Sequence, residues 1–242
     1  MTFASFVRHS AALPLLAALM IFAPQAARAG EPGDSWFAQR PWDVSFSGSY
    51  LTHRGQSKFG GRLDGNSYWK DTAGVKAEVR YGRGHLFRYG FALAYDRSQV
   101  SASLPAWFGT ASNPKQRIAL GEVTRLTPAF EWEIHPFRDE RLDFFGGPGL
   151  EYSLYSFSAN PVGAAAGVTD PKITGGLRLT LRTGLQYILN PHWALRTELR
   201  WAKAEAKFDA TINPPLLSAP YRVSSPIRHS AVTASLGATY RF

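Results

Sequence analysis

The chain has no cysteine among its 242 residues. Disulfide frameworks, thiolate-held zinc, iron–sulfur clusters and thiol nucleophiles are therefore excluded. Charge is sparse, with Asp, Glu, Lys and Arg making up only 19%, and mean hydropathy is −0.19. Neither a highly charged disordered chain nor a bundle of apolar helices fits these values. Beyond Gly30 no run approaches the ~18 consecutive apolar residues of a helical membrane span. The six His, at 9, 53, 85, 135, 192 and 229, lack the spacing of a local metal motif. No Gly-x-Ser-x-Gly elbow occurs. No catalytic group, metal or cofactor is expected.

Aromatics, by contrast, are plentiful at 14%, with 7 Trp, 10 Tyr and 16 Phe, and the formal charge is +9. At the N-terminus, Arg8 and His9 precede an apolar run from Ala11 to Ala23, followed by Ala27-Arg28-Ala29. This is the pattern of a secretory signal peptide over residues 1–29, cleaved before Gly30. The run is short for a transmembrane helix. Removing it leaves 213 residues with 25 basic and 18 acidic side chains. Export makes nucleic acid an unexpected partner despite the basic balance.

The rest of the chain alternates with period two. Trp42, Val44, Phe46, Gly48 and Tyr50 share one face, with Asp43, Ser45, Ser47 and Ser49 on the other. The pattern recurs around Val75–Tyr81, Phe87–Asp96, Leu126–His135, Leu142–Leu154, Leu177–Tyr187, Trp193–Trp201 and Val232–Phe242, giving eight segments. Each apolar face is close to the 9–11 residues with which a tilted strand crosses a bilayer. Connections at 82–85, 135–141 and 189–192 are short; those at 53–72, 97–117, 158–172 and 209–227 are long. This predicts an all-β fold, an eight-stranded antiparallel transmembrane up-and-down β-barrel over residues 41–242. Residues 30–40 would form a short periplasmic segment.

Aromatics collect where such strands meet the headgroups. Trp42, Tyr81, Phe87, Tyr89, Trp132, Phe144, Tyr187, Trp193, Tyr240 and Phe242 fall at the short-turn end, and Tyr50, Tyr95, Tyr152 and Trp201 at the other. Pro128 and Pro148 lie inside strands and demand bulges or local loss of pairing.

The last strand, His229-Ser-Ala-Val-Thr-Ala-Ser-Leu-Gly-Ala-Thr-Tyr-Arg-Phe242, resembles the closing strand of opacity-type and OmpW- or OmpX-like small outer-membrane barrels. Asp143-Phe-Phe-Gly-Gly-Pro-Gly-Leu-Glu-Tyr152 resembles the Gly-rich fifth strand of the same group. The resemblance implies a Gram-negative outer-membrane location, with Phe242 as the signal read by the barrel-assembly machinery. It also brings lipid A-modifying barrel enzymes into view. Their His-x-Ser pair is not reproduced by His229-Ser230, whose side chains would face opposite sides of a strand.

Inward parity collects Lys76, Arg80, Arg88, Arg178, Arg182, Arg196, Arg200 and Arg241 with Glu78, Asp96, Glu131, Glu133, Asp143, Glu151 and Glu198. Buried charge is tolerated chiefly when paired, and eight strands enclose a lumen that side chains can fill. Two readings fit: a salt-bridged plug, or a narrow polar channel. The windows 53–72, 97–117, 158–172 and 207–228 hold 11 basic residues and 4 acidic ones, which equals the whole excess after residue 29. Lipopolysaccharide phosphates are the matching counter-charge. Arg62, Lys115, Arg117, Lys172, Lys203, Lys207 and Arg222 are the contact candidates. Apolar clusters at Leu104–Phe108, Pro214–Leu217 and Pro220–Tyr221 suit either a surface partner or a lid over the mouth. A small hydrophobic ligand using the barrel as a conduit is the alternative function.

Overall fold

The computed structural model describes residues 40–54, 57–59, 65–82, 86–103, 117–138, 141–161, 168–212 and 221–242. Twelve strands run β1 Trp42–Arg54, β2 Ser57–Phe59, β3 Gly65–Trp69, β4 Thr72–Tyr81, β5 Phe87–Ser103, β6 Arg117–Arg138, β7 Leu142–Tyr152, β8 Leu154–Ala159, β9 Val168–Thr174, β10 Leu177–Ile188, β11 Trp193–Ile212 and β12 Tyr221–Arg241.

Eight of these, β1, β4, β5, β6, β7, β10, β11 and β12, pair antiparallel in that order. The ring closes where β1 meets β12, from Asp43 opposite Arg241 to Arg54 opposite Ser230. Closure leaves the wall without an edge, the condition for crossing a bilayer with strands. The eight alternating segments of the sequence each contribute one wall strand. The remaining four pieces build upward at the end away from the termini. β8 continues past Ser153 along β6, β9 pairs with β11, and the β2–β3 hairpin attaches to β5.

Much of what reads as long loops is thus sheet. β6, β11 and β12 are 22, 20 and 21 residues long, about twice a membrane crossing. At the other end, β6 reaches Arg138, so residues 135–138 belong to strand and not to the short turn. Between β10 and β11, Asn190 Oδ1 accepts the backbone N–H groups of His192 and Trp193, both at 2.9 Å, which fixes a tight reversal.

Pro128 and Pro148 coincide with gaps in the β6 ladder, and Pro136, also in β6, lies at the register shift between Ile134 and Phe137. On its β7–β8 side, pairing is missing at Thr127–Pro128 opposite Tyr152–Ser153, and again at Trp132–Glu133 opposite Gly147–Pro148. Proline has no N–H to donate, so the ladder lapses around it. Gly147 belongs to the second gap: a Cβ there would come within 2.3 Å of the Trp132 carbonyl.

The outer wall carries the apolar band, with Phe91, Leu177, Leu179 and Leu236 each more than 60% exposed. Near the termini the aromatics touch one another around the wall. Trp42 lies 4.7 Å from Tyr81, Tyr81 5.5 Å from Tyr89, and Tyr240 4.9 Å from both Trp193 and Phe242. At the opposite rim Tyr50, Tyr95, Tyr152 and Trp201 point outward. Amphipathic rings at two levels bracket the lipid-facing strip.

Candidate functional site

The interior is built in two storeys. In the lower one, the fifteen charged residues that parity collects from Lys76 to Arg241 are all at most 9% exposed. Their hub is Arg182 on β10, which reaches Glu78 at 2.9 Å, Glu133 at 2.9 Å, Glu198 at 3.3 Å, and Glu131. These partners come from β4, β6 and β11, so one guanidinium bridges the lumen from wall to wall. Lys76 donates to Glu198 at 2.9 Å and Glu131 at 3.3 Å, with Glu78 at 3.2 Å. Arg200 holds Glu151 at 3.1 Å as well as Glu131, and Arg178 holds Glu151. Arg196 contacts Glu133 and reaches Glu198 at 3.3 Å. Towards the short-turn end, Asp43 is shared by Arg80 and Arg88, and Arg80 also meets Glu133 at 3.2 Å. Asp43, Glu78, Glu131, Glu133, Glu151 and Glu198 thus each serve two or more cations, the arrangement that offsets the desolvation of so many charges.

The parity count missed four members of this interior. Asp43 and Arg125 have inward parity and are buried, Asp43 on Arg80 and Arg88, Arg125 on Asp96 at 2.6 Å. His135 sits between Asp143, at 2.8 Å through Nδ1, and Glu133, at 3.2 Å through Nε2. Phe145 points inward at 2% exposure, with the Arg196 guanidinium 3.5 Å above its ring. Gly184 makes room for that ring, since a Cβ there would meet it at 2.2 Å. Alternation alone places all four inward, since Phe145 shares the parity of Asp143 and Glu151; the arginine over its ring has no such signal.

The upper storey is apolar. Val100, Val123, Ile173 and Ala206 pack together inside the projecting sheet, with Trp69, Tyr155 and Phe157 against them. Trp69 and Tyr155 meet edge to face with centroids 6.1 Å apart. Between the storeys lies a cavity of about 30 Å³, bordered by Ser49, Leu51, Asp96, Arg125, Glu198 and Ala231. It is large enough for water and no more.

On the outer rim, Lys172, Lys203 and Lys207 are exposed, with Lys207 3.5 Å from Asp209. Backbone register places Arg222 opposite Thr211 on β11, and Arg117 opposite Ser103 on β5. Arg62, Lys115, residues 1–39 and the apolar clusters at 104–108, 214–217 and 220 lie outside the described residues. His53 is registered with Ala231, two residues from His229 along β12. Among the described residues no group of three or more His, Asp or Glu is arranged to hold a metal ion.

A closed eight-stranded antiparallel barrel with an apolar outer band, aromatic girdles and a charged interior defines an integral outer-membrane β-barrel of the small class. No family model matches the chain, and no curated protein matches it in sequence. Among solved structures it is similar to the outer membrane protein OprG from Pseudomonas aeruginosa, with TM-score 0.69 and 15% identity over 84% of this chain and 97% of that one. It is also similar to outer membrane protein AlkL in DMPC lipid bilayers, with TM-score 0.60 and 18% identity over 89% of this chain and 97% of that one. These likenesses concern the fold.

Proposed function

We propose that this barrel acts at its outer rim, as an envelope protein whose basic outer segments contact lipopolysaccharide or an external partner. The observation that carries this reading is the occupancy of the lumen. Ion pairs centred on Arg182 and Glu131 span it, and both side chains are 0% exposed. A barrel filled in this way offers its accessible chemistry outside. The basic excess beyond residue 29 falls in the outer windows, which gives that surface an anionic counterpart. The chain would reach the outer membrane through cleavage before Gly30 and insertion guided by Phe242. No enzymatic role is assigned.

Single-channel recording of the refolded chain in a planar bilayer tests the plug: a silent membrane is expected, and reproducible conductance steps would overturn it. Charge reversal at Arg62, Arg117 and Arg222 together should weaken lipopolysaccharide association; retained association would count against the rim.

A second reading has its own support. The upper storey, with Val100, Val123, Ile173 and Ala206 packed inside it, gives the outer end of the barrel an apolar interior, through which a small hydrophobic molecule would pass by displacing these side chains rather than by meeting charge. Deleting residues 104–108 should then lower uptake of such molecules, and undiminished uptake would remove the conduit.

A further inference from the structure

The border between the storeys carries a charge that the lumen does not balance. With Asp43 and Arg125 added to the fifteen charges that parity collects, nine cationic and eight anionic side chains face the interior, His135 apart. Seven of them border the cavity: Lys76, Arg125, Arg178 and Arg200 against Asp96, Glu151 and Glu198. The other ten, five of each sign, cancel. The excess of one positive charge therefore falls at the cavity, among side chains at most 9% exposed. Further up, the positions of inward parity on β1, β6 and β12 add no acid and three basic groups, His53, Arg117 and His229. Asp170, at the β9 bulge, stands level with Ala210, roughly 20 Å above Ala202 along β11. Leu51, Ala202 and Ala231 roof the cavity, so the apolar storey and not bulk water lies over the excess. A buried charge left without a counter-charge is costly.

Donors at the cavity are uncommitted. Arg125 bonds Asp96 through Nε at 2.9 Å and Nη2 at 2.6 Å, and Arg178 contacts Glu151 through Nε and Ser153 through Nη2. Nη1 of each has no acceptor among the described residues. The hydroxyls of Ser49, Thr233 and Ser235 face the cavity from β1 and β12, again without a described acceptor. The cavity, about 30 Å³, takes a species the size of water. Phosphate, sulfate and carboxylates are too large for it; a chloride ion is little larger than a water molecule.

We propose that this cavity is a halide site. One chloride ion, held by Nη1 of Arg125 and of Arg178 and by the hydroxyls of the β1–β12 side, completes the charge balance of the lumen and fastens the two storeys together. The site is separate from the rim and does not depend on what the rim binds. Its ion comes from the aqueous medium, since the cavity is too small for a lipid phosphate.

The refolded full chain in detergent micelles is unfolded with urea in chloride, bromide and gluconate salts at one ionic strength, which holds general screening constant. At a chloride concentration about ten times the dissociation constant, the folded-to-unfolded ratio should stand about tenfold above its value in gluconate, because only the folded chain binds the ion. Bromide should act like chloride. Arg178→Gln removes the excess charge and one donor while Glu151 keeps Arg200, so the chloride effect should fall below about twofold. Measured in the same salts, this variant also cancels the general action of each salt on apolar burial. Arg97→Gln removes the same charge from the outer face and should keep the effect whole. Should Arg178→Gln not fold, Thr233→Val should raise the chloride needed for the same effect about fivefold, for one lost hydrogen bond to an ion. Crystals of the parent grown in bromide should show an anomalous peak between Arg125 and Arg178. Equal stability in all three salts, an effect that survives the lumenal substitution, or bromide bound elsewhere would overturn the site. Ion pairs at this border are compared in gluconate, where the halide contribution is absent.

Discussion

The two storeys of the barrel use one backbone pattern in opposite senses. On β11, Leu195, Leu199 and Trp201 face outward while Arg196, Glu198 and Arg200 face inward. Past Trp201 the outward positions become Lys203 and Lys207, and the inward ones Ala202 and Ala206. β5 and β6 do the same: Asp96 and Arg125 are the last inward charges before Val100 and Val123, while Arg97 and Glu122 turn outward. No strand slips at the change. What changes is the medium outside, from hydrocarbon to water and headgroups, and the interior inverts with it. Within the bilayer the wall must be apolar outside, which leaves the lumen to polar groups. Above it the sheet is an ordinary water-exposed sheet and packs an apolar core.

The largest effect on this comparison should come from the hub of the lower storey. Arg182→Met leaves Glu78, Glu131, Glu133 and Glu198 without the guanidinium they share. Removing one partner of a buried ionic cluster costs about 3–5 kcal/mol, since the remaining charges stay desolvated. Urea unfolding of the refolded barrel in detergent micelles measures it. A loss below about 1 kcal/mol would mean that water already reaches these carboxylates and that the lower storey is a wet channel.

This inversion also explains which parts were legible in the sequence. Apolar residues at every second position identify lipid-facing strands, so the eight crossings, the closing β12 and the inward set of Glu131, Glu133, Arg178 and Arg182 follow from parity alone. Above the girdle the same rule fails, because apolar parity moves to the inner face. The alternation of β6 and β11 still runs on in the sequence, from about Ile118 and to about Phe208, and so announces a sheet projecting above the membrane; Val100, by contrast, looks like a stray hydrophobe in a polar connection, and β2, β3 and most of β9 read as loop. Register is likewise hidden: that Arg182 meets carboxylates from three other strands depends on the shear of the closed ring. Asp43 shows a simpler limit. It lies on the polar face of the first segment, and its role emerges only when Arg80 and Arg88 converge on it from β4 and β5.

The border between the storeys gives a second, smaller effect. Asp96 and Arg125 are directly opposed in register and joined by two hydrogen bonds, from Nε at 2.9 Å and Nη2 at 2.6 Å. Arg125→Met alone strands a buried carboxylate and should cost about 2–3 kcal/mol, reduced from the hub value because the adjoining cavity admits water. Adding Asp96→Ala removes the stranded charge and extends the apolar storey downward. The double variant should recover most of the loss, to within about 1 kcal/mol of the parent. If it is as unstable as the single variant, the pair does more than neutralise itself and the border is not movable.

The smallest effect belongs to the pair one residue away on the outer face. Arg97 and Glu122 bind each other on the same two strands as Asp96 and Arg125, with the same chemistry, but their side chains are 55% and 45% exposed. Water and salt screen them, so Glu122→Gln should shift stability by no more than about 0.5–1 kcal/mol. The shift should shrink further in 1 M salt, while the Arg125→Met loss stays almost unchanged because its pair is screened by protein and not by ions. Measured in the same micelles, the two pairs differ chiefly in the side of the wall they face, the inner one directly opposed and the outer one diagonal in register. Equal losses would mean that the interior at this height is as wet as the exterior, and the division into storeys would lose its physical basis.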